Sequence, residues 1–363
     1  MDLSAERIGR YNRAAERWAR LLVAGPPEPG VRVFYGQDDV PAPGERAAGG
    51  TAKLQKLAER FPNTPVGFSL LYLGSNRLPR DLGPLLWLAR RRGIPVVVNQ
   101  DGVAYPGWAG EATHRINAPM RRTLLAADHV LYQSEFARRS ADSFLGEPRG
   151  SWEVLPNAVD VARFTPADVP PADGPVLLLG GDQTQEYRLE LALSTLAALV
   201  PRRPGAQLLV TGRAVTAVEP LVEEHGLTGR VRVLGEYAQR DAPAIFRQAH
   251  VLLHTKVNDP CPTLVLEAMA CGLPVVYPGS GGTVELVGDE AGVGVPHPDG
   301  YDRDEPPPPE ALADAVDRVL DGWATYAVAA RARVVEWFAL EPWLERHAEL
   351  FAGLAEKSAQ TRH

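Results

Sequence analysis

At 363 residues the chain is too long for one ordinary core and points to two domains. Its hydrophobic share of 45% and charged share of 23% are those of a soluble globular protein, and without an apolar run of about eighteen residues a membrane-spanning helix is excluded. The formal charge of −7 is uneven: residues 1–160 carry 21 Lys+Arg against 17 Asp+Glu (+4), leaving 17 against 28 (−11), which argues against a nucleic-acid groove in the second half.

The N-terminal "MDLSAERIGRYNRAAERWAR" is charged throughout and lacks the apolar core of a signal peptide. It reads as a helix with Ile8, Tyr11, Ala15, Trp18 and Leu22 on one face and Arg7, Arg10, Arg13, Arg17 and Arg20 beside them. Contact with a membrane surface and packing on its own domain both fit that pattern, and packing is favoured. Next come the strand "VRVFY", the loop "GQDDVPAPGERAAGG" and the helix "TAKLQKLAERF". "VGFSLLYLG", the helix "LGPLLWLARRRG" and the strand "IPVVVNQ" follow, then a longer helical region, "HVLYQS" and the helical "SEFARRSADSFLG". Buried strands alternating with helices predict a parallel, doubly wound sheet.

At "SWEVLPNAVDVARFTPADVPPADGP" the rhythm breaks into a Pro-rich linker. A second series starts at "VLLLGG" and runs through "YRLELALSTLAALV", "AQLLVTG", "RVRVLGEY", "HVLLHT" and "LPVV" to a tail of helices. Its last part breaks before Pro342, and Trp337, Phe338, Trp343, Leu344 and Phe351 call for burial. Two doubly wound domains joined near residues 160–175 place ligands at the carboxyl ends of their strands, one reactant on each side of a cleft. Cys261 and Cys271, ten apart and without a metal-ligand pattern, read as buried free thiols of a reducing cytoplasm.

The stretch "NDPCPTLVLEAMACGLPVV" carries the chemistry. Asp259 sits in the loop after "HVLLHT", and Pro262 and Thr263 start a helix whose first N–H groups lack intrahelical partners, a setting suited to a phosphate. Glu267, about one turn further in, is placed to accept hydrogen bonds from a diol such as a ribose, and Asp259 to hold a second diol. With no His or third acid in the stretch, a metal site is disfavoured. A turn aspartate and a helix-face glutamate remain the simpler alternative for the two acids.

The same stretch resembles the hallmark of the family-4 retaining glycosyltransferases of GT-B fold: two acids with seven residues between them, continued by "EAMA.G.PVV", with Asp259 standing for the first Glu. "HVLYQSEF", "VLPNAVDVARFTP", "RVRVLGEY", "GSGGTVELVG" and "WFALEPWLERH" are similar to further family segments in the family's order. The resemblance implies an α/β GT-B chain: an acceptor domain over 1–165, a nucleotide-sugar domain over 166–335, and helices over 336–363 returning to the first. The two doubly wound, Rossmann-like domains would face across a cleft.

On the donor side it implies Glu267 at the ribose, Asp259 at the donor sugar, and Pro262, Thr263 and Leu264 at the diphosphate or sugar. Gly235 and Tyr237 would frame the base. Gly180, Gly181, Gly281 and Gly282, with Gly49 and Gly50 of the first domain, would let backbone approach the donor. Two family features are altered. The cations expected after "VLLLG" are absent, which makes Arg188 and Lys256 the candidates for neutralising the leaving group. The first-domain His is absent too, which leaves Gln100 or Asp101 in its place, with Asp38, Asp39 and His114 as further acceptor-side candidates. The implied activity is metal-independent, cofactor-free, retaining hexosyl transfer in the cytoplasm, from a nucleotide sugar (UDP preferred over GDP) to a hydroxyl of a natural product, saccharide or polysaccharide precursor. A nucleotide-sugar epimerase and a non-catalytic nucleotide-sugar-binding protein are the rival readings, and nothing in the sequence sets the oligomeric state.

Overall fold

The computed structural model describes residues 15–23, 30–42, 45, 50–167, 174–298 and 300–361. The apolar runs form two all-parallel sheets. In the first, β1 (Val33–Phe34), β2 (Leu70–Gly74), β3 (Val96–Gln100), β4 (His129–Tyr132) and β5 (Ser151–Val154) lie in sequential order. The first four are buried along their whole length, because helices cover both faces and alternation with polar residues has no place there. β5 replaces the start of the expected linker. It is an edge strand with Ser151 and Trp152 exposed, so it carries no buried apolar run to announce it.

The second sheet contains β6 (Val176–Leu179), β7 (Gln207–Thr211), β8 (Val231–Gly235), β9 (Val251–Leu253), β10 (Val275–Gly279) and β11 (Gly292–Pro296), in the order β11-β10-β9-β6-β7-β8. The chain winds outward from β6 to β8, returns to β9 on the other side of β6, and winds outward again. The connections that leave the carboxyl ends of β6 and β9 therefore run in opposite directions, which makes a topological switch point, the place where such sheets bind ligands. β11, "GVGVP", falls in the expected helical tail; its glycines give it weak strand propensity, and pairing with β10 along five residues supplies what propensity does not.

Helices Trp323–Trp337 and Leu340–Thr361 close the chain. The second brings Trp343, Leu344 and Phe351 back onto the first sheet, against Tyr35, Tyr72 and Leu57. Phe338 joins the core of the second domain, whereas Trp337 departs from expectation and is 66% exposed. Residues 15–23 are helical, and there the expected stripe is shifted. Leu21 and the partly buried Trp18 pack inward, whereas Ala15 and Leu22 face outward. Arg17 is buried between Asp38 and Asp81, at 2.5 Å from each. Ile8, Tyr11, Arg7, Arg10 and Arg13 lie outside the described residues. Among the described residues no helix is long and apolar enough to cross a membrane.

Phe351 is fully buried against Phe61, Tyr72 and His347. Phe351→Ala should cost about 3–5 kcal/mol, read as an earlier denaturant midpoint for the first domain; an unchanged midpoint would show that the terminal helix does not hold that core.

Candidate functional site

Between the two sheets lies a cleft of about 500 Å³. Its floor is the loop after β9 and the start of the helix Thr263–Ala270, which faces the end of β6. A Cβ on Gly180 would stand 2.8 Å from the Leu264 side chain, so glycine is what lets strand end and helix start approach. Asn258, the one non-glycine residue at positive φ (53°) among the described residues, turns the loop. Its N–H bonds Ser280 Oγ at 3.1 Å and its side chain donates to Gly300 O at 2.7 Å. Asn tolerates that conformation better than most residues.

Asp259 follows, mostly buried. Its Oδ2 lies 3.3 Å from Lys256 Nζ and 3.5 Å from His254 Nε2. Burial by itself would raise its pKa, but Lys256, His254 and Arg188 together outweigh burial and hold the carboxyl well below the ordinary aspartate range. His254 is 3% exposed, and burial pushes its imidazole below the usual histidine value against the pull of Asp259. Arg188 is 6% exposed; it donates to Asp182 O at 2.8 Å, and burial lowers its pKa while Asp259 opposes the shift. Both proposed cations thus reach the cleft beside Asp259. Tyr187 braces the same loop, its hydroxyl accepting from Val257 N–H at 3.1 Å.

Pro262, Thr263 and Leu264 line the cleft between the two acids. Glu267 is 5% exposed and accepts from Gln239 Nε2 at 2.5 Å. Burial raises its pKa, and Lys56, a first-domain residue, pulls the other way. Tyr237, Gly180, Gly181 and Gly50 also line the cleft. Asp101 lines it from the first domain, 2.5 Å from Lys53 Nζ.

Other candidates stand elsewhere. Gly235 lies just outside the lining, its carbonyl accepting from Gly212 N–H at 2.7 Å, and Glu236 takes the place beside Tyr237. Gly281 and Gly282 sit behind the Asp259 loop, where a Cβ would come within 2.7 Å of Asp259 O or 1.9 Å of Pro260 O. Gln100 is fully buried and turned to Gly102 O at 2.5 Å. Asp38 is committed to Arg17, and Asp39 and His114 are exposed away from the lining. Gly49 lies outside the described residues.

Sequence reasoning misses Lys53, Gln133, Asn157, Gln239 and His254, all of which line the cleft. His254 and Gln239 each stand within a few positions of a recognised motif. Lys53, by contrast, looks like any cation on an amphipathic helix until the fold carries it to Asp101. Among the described residues no group of three or more His, Cys, Asp or Glu side chains is arranged to hold a metal ion.

Two family models match the chain: "Glycosyltransferase Family 4" over residues 28–163 and "Glycosyl transferases group 1" over 164–333. The chain is similar to a phosphatidylinositol N-acetylglucosaminyltransferase component of Arabidopsis thaliana, 26% identical over 56% of this chain and 45% of that one. A D-inositol 3-phosphate glycosyltransferase of Saccharomonospora viridis is 28% identical over 65% of this chain and 59% of its own length. The chain thus spans about half the length of these curated relatives. A glycogen synthase of Mycobacterium tuberculosis matches over 84% of this chain and 75% of its own length at 25% identity. Among solved structures, sucrose-phosphate synthase from Thermosynechococcus elongatus shares the fold at TM-score 0.66 and 22% identity, covering 79% of this chain and 74% of that one. Anabaena HepE in complex with UDP does so at 0.65 and 18%, covering 83% and 81%.

The raised pKa of Glu267 has a definite sign. The native state keeps this proton to higher pH than the unfolded chain does, so stability falls as pH rises from 4.5, the ordinary glutamate value, through the folded one. Glu267→Gln should remove that decline and raise the melting temperature of the ligand-free protein by a few degrees at mildly alkaline pH. A melting temperature lower than wild type at every pH would show that the charge of Glu267 is compensated in place.

Proposed function

The chain belongs to the family-4, group-1 glycosyltransferases of GT-B fold, and from that membership we propose that it is a retaining enzyme moving a hexosyl unit from a nucleotide sugar to an acceptor hydroxyl. The observation that carries this reading is the pair of buried carboxylates, Asp259 and Glu267, on either side of a helix start that opens into the cleft. Glu267 takes the ribose hydroxyls, with Tyr237 at the base. The N–H groups at Thr263 and Leu264 and the cations Arg188 and Lys256 take the diphosphate. Asp259 takes the donor sugar's hydroxyls. The acceptor enters from the first-domain wall at Asp101.

In the transfer, the bond from the anomeric carbon to the diphosphate oxygen breaks, and a bond to the acceptor oxygen forms on the same face. The acceptor proton passes to the departing diphosphate, so positioning and charge stabilisation supply the acceleration. No metal ion is needed in this scheme, since fixed cations and the helix start face the leaving group. The preference for UDP is supported by structural neighbours held in complexes with UDP and UDP-glucose. Relatives named for inositol phosphate and glycogen support a polyol or saccharide acceptor. A cytoplasmic setting fits a nucleotide-sugar donor.

Asp259→Ala and Glu267→Ala should each lower donor turnover by on the order of 10²–10³-fold while leaving the fold intact, followed by mass spectrometry of donor and product. Normal turnover in both variants would refute the assignment. Donor converted without any acceptor would point to an epimerase, and tight nucleotide binding without turnover to a non-catalytic protein. UDP should raise the melting temperature more than GDP does; the reverse order would transfer the base preference to guanine.

A further inference from the structure

The segment that joins the two acids is held from the opposite domain. Ser134, two residues after β4, donates from Oγ to Pro260 O at 2.7 Å. The same oxygen accepts from Ala137 N–H at 2.9 Å as the N-cap of the helix Glu135–Phe144. Asn157 Nδ2 donates to Cys261 O at 2.8 Å. From behind, both carboxylate oxygens of Glu285, in the second domain, accept from the N–H groups of Glu135 and Phe136, each at 2.8 Å. Gly282 N–H bonds Asp259 O at 2.9 Å and leaves no room for a Cβ between Pro260 O and Ser134 Oγ.

These contacts have one geometric result. The backbone carrying Asp259 and entering the helix start is fixed by two first-domain side chains, and the first-domain helix that supplies one of them is itself clamped by the second domain. Ser134 is 1% exposed and does not line the cleft, so it has no route to a substrate. Glu267 and Tyr237 stand on second-domain elements further from this grip.

We propose that Ser134 is a positioning residue for the transfer step: its hydrogen bond to the Pro260 carbonyl sets Asp259 and the helix start in place, whereas binding of the nucleoside part at Glu267 and Tyr237 does not depend on it. The kinetic part rests on the glycosyltransferase reading. The structural part does not, because the bond joins two groups of the chain itself.

The test uses the full chain with Ser134→Ala and Ser134→Thr. Hydrogen exchange of the ligand-free protein, uridine affinity by calorimetry and kcat for donor turnover are measured on each. Losing one buried hydrogen bond should speed exchange over residues 258–264 by about tenfold in the Ala variant and lower kcat by at least about tenfold. Uridine affinity should stay within about twofold of wild type, since its contacts, at Glu267 and Tyr237, lie away from the Ser134 grip. Thr, which keeps the hydroxyl, should restore both exchange and kcat. Faster exchange confined to the helix Glu135–Phe144 would show that Ser134 is a cap and nothing more, and would overturn the proposal. Uridine affinity falling in step with kcat, or Thr behaving like Ala, would overturn it as well. Absence of turnover in the wild type would instead refute the glycosyltransferase reading, while the exchange measurement would still decide whether Ser134 holds the loop.

Discussion

A carboxylate buried in the wall of a cleft cannot stay charged alone: removing it from water costs several kcal/mol, and only opposite charge and hydrogen bonds close by offset that cost. Asp259 is in that position. Lys256 at 3.3 Å, His254 at 3.5 Å and Arg188 across the strand end keep it ionised, and the loop after β9 is shaped to bring them together. Asn258 takes the left-handed turn, Tyr187 supports Val257, and Gly281 and Gly282 let the next loop lie against the backbone. The neighbouring glutamate has the opposite balance. Glu267 is buried with one neutral donor, Gln239, and its pKa rises. An acid held charged and an acid left short of partners stand on the two sides of one helix start, and the proposed hydroxyl and phosphate ligands would complete both.

The fold supplies the place. Because β9 returns to the far side of β6, the glycines after β6 and the loop after β9 face each other without a connecting chain between them. The first domain closes this opening with side chains the second lacks, including Lys53 and Asp101 from one wall and Ser134 and Asn157 gripping successive carbonyls. The terminal helix then ties the second domain back onto the first-domain core through Trp343 and Phe351. The lining of the cleft is accordingly a construction of both domains.

Much of this is legible in the sequence, for reasons of physical chemistry. The strands buried on both faces, β2, β3, β4, β6 and β9, are nearly continuous apolar runs, and the acids of the 258–276 stretch stand out against an uncharged background. Arg188 and Lys256 emerge from asking which cations replace a missing pair, and both reach the cleft. Elements whose form comes from pairing are not legible: β5 is a half-exposed edge and β11 is glycine-rich, and each is made a strand by its neighbour. The same holds for Lys53 and Ser134, ordinary residues on their own helix or strand end that gain a role only when the topology sets Asp101 or Pro260 opposite. Gly281 and Gly282 read in the sequence as approaching a ligand; the approach is real, but what comes close is the chain's own backbone.

The most direct measurement of the central claim is a crystal structure of this chain with UDP bound. The ribose hydroxyls should lie within hydrogen-bond distance of Glu267, and the terminal phosphate should face the N–H groups of Thr263 and Leu264, with Arg188 or Lys256 beside it. A nucleotide bound with its ribose away from Glu267, or its phosphates away from the helix start, would contradict the account.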